Sequence, residues 1–268
     1  MRQGLTNELL SILSVAAWGI VHAISCVGIG QGPTRNAASI EGGRFLPLFD
    51  LKKTIEPVSV DAFWIDRHAV TNRAFNRFLS QSPGWLPENA DPSFVDENYL
   101  KGFDESVASG SRADFPAVNV SWFAAKAYCV WVGGRLPTTF ECEFVALADE
   151  RTKDARKEAR AREKILAWYA RPNSQSALAP AQSGQASVYG TYNLHGLIWE
   201  WTDDFNRFFA TVDSRGDAEK TKDLFCGSAA LNATDREDYP AFMRYAYRTS
   251  LMARSTQPLL GFRCAYSE

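Results

Sequence analysis

The sequence predicts a mixed helix-and-strand fold in which loops take up much of the chain. Three observations carry this. Between residues 40 and 70 the pattern is one of short strands, clearest in Val58-Ser59-Val60-Asp61-Ala62-Phe63-Trp64-Ile65, which alternates and then turns apolar. Helix-start signals stand before amphipathic runs at Thr71-Asn72, Ser121 and Thr138. Two stretches, 82–117 and 174–190, are rich in Pro, Asp, Gly, Ser, Ala and Gln and show no period. The 8 Trp, 9 Tyr and 17 Phe suit such a chain, because large rings bury much area where regular structure is short.

In chain order, Arg2 precedes an apolar stretch from Leu9 to Ile24, with small residues at Ala23 and Ser25. This reads as an export signal over 1–25, too short for a membrane span, followed by a linker over 26–39 and one domain over 40–268. Export implies a periplasmic or extracellular location and permits disulfides. Cys26 offers an alternative, a lipid anchor at a mature N-terminal cysteine. Thr71 or Asn72 caps a helix carrying Phe75, Phe78 and Leu79. His68, at the preceding strand end, reads as a hydrogen-bonded structural residue. The stretch 82–117 reads as a surface loop. Ser121 starts a helix that runs through Trp131 and ends at Gly133-Gly134, and Thr138 with Glu141 has capping-box spacing. Residues 149–164 read as a solvated helical extension with Asp149/Lys153 and Glu158/Arg162 as i,i+4 pairs. A formal net charge of −2 argues against nonspecific nucleic-acid binding.

The stretch with the most chemistry is Tyr192-Asn193-Leu194-His195-Gly196-Leu197-Ile198-Trp199-Glu200-Trp201. Oxygen donors stand either side of a glycine turn, as a hard cation requires. The alternative is a strand whose buried Glu200 is paired with another side chain between tightly packed indoles. Asn-x-x-Gly-x-x-Trp-Glu-Trp resembles the signature of the formylglycine-generating enzyme (sulfatase-modifying factor) family. Four more stretches match that family in order: Ile40–Phe45, Phe63–Asn72, Val118–Glu141 and Gly261-Phe262-Arg263-Cys264-Ala265. The resemblance implies an α+β, loop-rich fold related to C-type lectins.

It also implies site residues. Asn193 and Glu200 through their side chains, and Gly196 and Ile198 through their carbonyls, would hold one Ca²⁺. A first calcium site of the family is in doubt, since only Asn173 remains of it. Four cysteines beyond Cys26 leave three pairings open; the resemblance selects Cys129 with Cys264 and leaves Cys142 and Cys226 over. The family enzyme holds copper(I) on two cysteines after a Gly-Gly-Ser element. Here Gly227 and Ser228 match, the first cysteine position is Leu231, and no cysteine stands between Asn232 and Arg263. Copper therefore lacks its usual thiolate pair. Cys142, Cys226, Met243, Met252 and His195 are scattered soft donors, of a kind that usually serves as core. A three-histidine iron site, as in the ergothioneine-pathway relatives, is closed, since of His22, His68 and His195 the first falls within the export signal.

The remaining candidates for acid–base work are Ser228, Arg248 and Glu200. The run Phe225–Ser228, Asp238-Tyr239 and Phe242–Ala246 looks like a bacterial branch associated with copper-containing nitrite reductase. The sequence thus points to an exported accessory or maturation factor with a protein or peptide partner, such as a copper enzyme. The alternatives are an oxidoreductase with cysteine-independent chemistry, as in a pyoverdine-chromophore branch, and a lectin-like binding module.

Overall fold

The structure, a computed structural model, describes residues 36–48, 56–171, 178–206 and 238–267. Its main sheet joins the two ends of that range. β1 (Ala37–Ile40) pairs antiparallel with β4 (Phe63–Asp66), and β7 (Ala265–Ser267) pairs antiparallel with the other edge of β4. β2 (Gly43–Phe45) and β3 (Val58–Val60) form a separate hairpin-like pair. At Gly42, with φ of +74°, an added Cβ would lie 2.5 Å from the Val60 carbonyl oxygen, so only glycine makes this turn. β5 (Trp199–Glu200) runs parallel to β6 (Leu260–Gly261).

Most of the described helices begin where a side chain satisfies an amide of the first turn. Thr71 accepts from Ala74 N at the start of α1 (Asn72–Gln81), and Ser121 accepts from Ala124 N at the start of α3 (Trp122–Trp131). At α4 (Thr139–Ala146) the capping box is complete: Glu141 N donates to Thr138 Oγ1 at 3.2 Å, and Thr138 N to Glu141 Oε2 at 2.7 Å. α2 (Glu105–Ser109), α5 (Ala159–Tyr169) and α6 (Tyr239–Thr249) complete the set among the described residues. No described helix is long and apolar enough to cross a membrane.

One core packs Phe75 and Phe78 of α1 and Tyr128 of α3 against Phe262 and Trp201, all buried. Phe262 meets Tyr128 edge-on at 5.3 Å and Phe75 at 6.0 Å. Cys129 and Cys264 form a disulfide in this core, their Cα atoms 5.4 Å apart. A second core sets Ile40, Phe45, Phe63 and Ile65 of the strands against Phe144 and Val145 of α4.

The α+β, loop-rich architecture stands as expected, with three local differences. Residues 58–65 form two strands: Asp61-Ala62 breaks the run where the chain leaves its partner β2 and takes up β1. β1 begins at Ala37, inside the stretch read as linker, because Ala37–Ile40 find partners on β4. The expected helix over 149–164 starts only at Ala159. Asp149 accepts from the amides of Arg151 and Thr152, a local turn that competes with helix, and it pairs with Arg160 rather than Lys153. Lys153 reaches Glu41 instead, and Glu158 sits at the N-cap of α5. The loop over 82–117 holds a 3-10 turn, Pro83–Trp85, as well as α2.

Asp66 ends β4 beneath the disulfide. Its Oδ2 accepts from Cys264 N at 3.0 Å and its Oδ1 from the Tyr266 hydroxyl at 3.1 Å. Burial pushes its carboxyl up to about 6, only partly offset by these donors and by Arg263. A carboxyl raised in the folded state binds its proton more tightly there than when unfolded. Its contribution is thus fully present below about pH 4 and lost as pH rises to 6, a change of about 3 kcal/mol. Asp66→Asn keeps an acceptor for Cys264 N and should melt higher than the wild type at pH 7.5 but alike at pH 4. A lower melt at both values would mean that the charge itself is needed.

Candidate functional site

The turn at 192–201 is bent by two non-glycine residues in the left-handed region, Asn193 (φ 57°) and Leu197 (φ 70°). The Asn193 amide holds the bend by donating to the carbonyls of Ala181 (3.1 Å) and Ser183 (2.9 Å). Tyr192 N donates to Arg67 O, and Trp199 N and Trp201 N donate to Leu259 O and Gly261 O, so the strand emerges flat against β6. A Cβ on Gly261 would lie 2.4 Å from Ala117 O, so this approach requires glycine.

Glu200 has a protein partner. Arg263, fully buried, donates Nε to Glu200 Oε2 and one terminal nitrogen to Oε1, both at 2.7 Å. Its other N–H groups reach the carbonyls of Asp66, Arg67 and Tyr192. This fork satisfies the guanidinium and neutralises the carboxylate. The one carboxylate among Asn193, Gly196, Ile198 and Glu200 is matched by this guanidinium, which leaves little net negative charge to attract Ca²⁺. We therefore expect a chelator to leave the melting temperature unchanged, and Glu200→Gln to lower it with or without chelator. A chelator-dependent fall that Glu200→Gln abolishes would restore the calcium reading.

Beside this strand lies a second buried charge cluster. Glu143 of α4 accepts from Arg244 at 2.6, 3.0 and 3.2 Å and from Arg248 at 2.6 Å. Burial opposes the charge on Glu143, but the two guanidiniums outweigh it and hold the carboxyl at about 2. The third nitrogen of Arg244 lies 3.0 Å from His195 Nδ1, while His195 Nε2 faces the Ala146 carbonyl. A guanidinium only donates and a carbonyl only accepts, so His195 is neutral with its proton on Nε2. Burial, and then Arg244, push its pKa down to about 3. His68 is likewise neutral: Nδ1 donates to Ala69 O, and Nε2 accepts from Asn36 and Gln182.

A small pocket opens between the two clusters, bordered by Cys142, Trp168, Tyr169, Trp199, Tyr247 and Arg248 among others. Trp199 is stacked between Tyr169 (5.3 Å, 4° between planes) and Tyr247 (4.3 Å, 19°). Trp168 closes on the same indole at 4.9 Å. This is a surface for planar or apolar groups. Its titratable groups are poorly placed for proton transfer at neutral pH. Burial pushes the Cys142 thiol up to about 12, burial raises both tyrosines, and Arg248 and Glu200 are committed to ion pairs.

Of the candidates, then, Glu200 and Arg248 border one pocket as halves of separate ion pairs. Ser228 lies outside the described residues, as do Cys26, Asn173, Cys226 and Leu231. Among the soft donors, Met252 is exposed, and His195 has no free nitrogen for a metal. The sequence reading missed Glu143, Arg244 and the Tyr169–Trp199–Tyr247 stack. Arg244 and Arg248 stand four apart in a helix, and Glu143 sits in the apolar run Phe140–Ala146; together these were the available signal.

The family described as sulfatase-modifying factor enzyme 1-like domain matches residues 29–268. The chain belongs to this family. It is 27% identical to the formylglycine-generating enzyme of Mus musculus over 260 residues, covering 78% of this chain and 67% of that protein. It is also 27% identical to the inactive C-alpha-formylglycine-generating enzyme 2 of Bos taurus over 315 residues, covering 97% of this chain and 95% of that one. Among solved structures, PvdO from Pseudomonas aeruginosa matches with a TM-score of 0.47 at 18% identity, over 87% of this chain and 94% of that one.

Proposed function

We propose that this sulfatase-modifying-factor-like protein does not oxidise cysteine to formylglycine and acts as an exported accessory or maturation factor. One observation carries the reading. Its described thiols are unavailable: Cys129 and Cys264 are bonded to each other and Cys142 is buried and protonated. The sequence adds that Leu231 stands at the first reactive cysteine position and that no cysteine lies between Asn232 and Arg263. A thiolate pair is what holds Cu(I) and engages a thiol substrate in the resembled chemistry. The bovine relative, matched over 95% of its own length and called inactive by its name, supports the same direction. The apolar stretch Leu9–Ile24 supports export, and the 225–246 run supports a copper enzyme, such as a nitrite reductase, as partner.

The test is a deletion strain assayed for copper content and activity of its exported copper enzymes. The reading expects both to fall and to be restored by the intact chain; unchanged copper occupancy would sink it. A second reading, a lectin-like binding module, is favoured by the Trp199 stack. Saturable binding of a ligand by that stack, with copper enzymes unaffected by the deletion, would favour it instead. An oxidoreductase acting without cysteine gains no support from Arg248 or Glu200, since each is held by an opposite charge.

A further inference from the structure

Glu143 answers two guanidiniums with one carboxylate. Arg244 and Arg248 stand one turn apart on α6, each 7% exposed, and both donate to the oxygens of Glu143. This group of three carries one net positive charge inside the protein, where an unmatched charge is costly. Its close neighbours do not remove that charge. Glu200 is matched by Arg263, Cys142 keeps its proton, and His195 is neutral with both nitrogens engaged. Asp238 interacts with Arg244 only at longer range, from the N-cap of α6.

Arg248 also has donors to spare. Its Nη1 donates to Glu143 Oε1 at 2.6 Å, and its Nε and Nη2 have no acceptor among the described residues. Both arginines border the small pocket beside Trp199, whose other walls include Ala146, Ile198 and Trp168. That pocket measures about 20 Å³. A single water needs roughly 10–15 Å³ on the same measure, so the space takes one particle of about that size. A carboxylate, phosphate or sulfate is too large for it. A water-sized recess with net positive charge and unused guanidinium donors is complementary to a monatomic anion.

We propose that this pocket is a halide site, which holds one chloride ion on the unused N–H groups of Arg248 beside Arg244. The ion and Glu143 together then balance the two arginines. The site is independent of the accessory reading and needs no chemistry from the ion. The line width of the chloride NMR signal tests it, with the full chain titrated with sodium chloride and sodium gluconate keeping the ionic strength constant. Saturable broadening is expected, displaced by bromide and not by gluconate, which cannot enter. The melting temperature should rise with chloride over the same range, because the ion binds only the folded protein. Arg248→Gln should weaken chloride by roughly tenfold or more, as the loss of charge-assisted hydrogen bonds implies. Cys142→Met fills the space and leaves both arginines in place, so it should also abolish the broadening. Circular dichroism shows which variants fold, and Cys142→Met decides the matter should Arg248→Gln fail to. Absence of saturable broadening would mean that the pocket holds water, and broadening that survives in a folded variant would mean surface chloride only. Either result, or displacement by gluconate, would overturn the proposal.

Discussion

Glu143→Gln is expected to destabilise the protein by about 3–5 kcal/mol, because it leaves two buried guanidiniums facing a neutral amide. Chemical denaturation at pH 7 measures this. The effect has a sign in pH as well. The carboxyl is held at about 2 in the fold against an ordinary value of 4.5, so its contribution is present above 4.5 and is lost as pH falls towards 2. The variant should therefore approach the wild type in acid. Adding Arg248→Met to Glu143→Gln should recover part of the loss, since one orphaned charge is then removed. A loss under 1 kcal/mol from the single change would show that the cluster is solvated.

Replacing Cys129 and Cys264 together by alanine should cost comparably. Their bond closes a loop with a sequence separation of 135, worth about 5 kcal/mol in the chain-entropy account. It ties α3 to the link between β6 and β7 that carries Arg263, so the loss should also loosen the partner of Glu200. Peptide mapping without reduction should find these two residues linked. A melting temperature unmoved by reductant or by the double substitution would contradict this role.

What could be read from the sequence was what is decided within a few residues. Thr138 and Glu141 satisfy each other's amides across one turn, so their spacing alone announced α4. The same holds for Ser121 and for Gly133, which ends α3 with a φ of +81°. The run at 149–158 failed because Asp149 had a local turn available that helix periodicity does not register. The pairing of Cys129 with Cys264 was legible only through family resemblance, since three connectivities were otherwise equal. At the site, Glu200 was visible as a carboxylate with two admissible partners, a metal cation or another side chain. The deciding residue, Arg263, lies 63 positions away and meets it only because β5 and β6 run side by side. Glu143, 101 and 105 positions from its arginines, offered no local signal of pairing.

We propose that this member of the family lacks formylglycine-generating activity because no cysteine stands at Leu231 or between Asn232 and Arg263. The most direct measurement is mass spectrometry of a cysteine-containing sulfatase peptide after incubation with the copper-loaded protein and oxygen. The account predicts that the peptide keeps its cysteine, in the wild type and in Cys226→Ser alike. Conversion of that cysteine to the aldehyde by the wild type, lost in Cys226→Ser, would contradict it and return the protein to the oxidases.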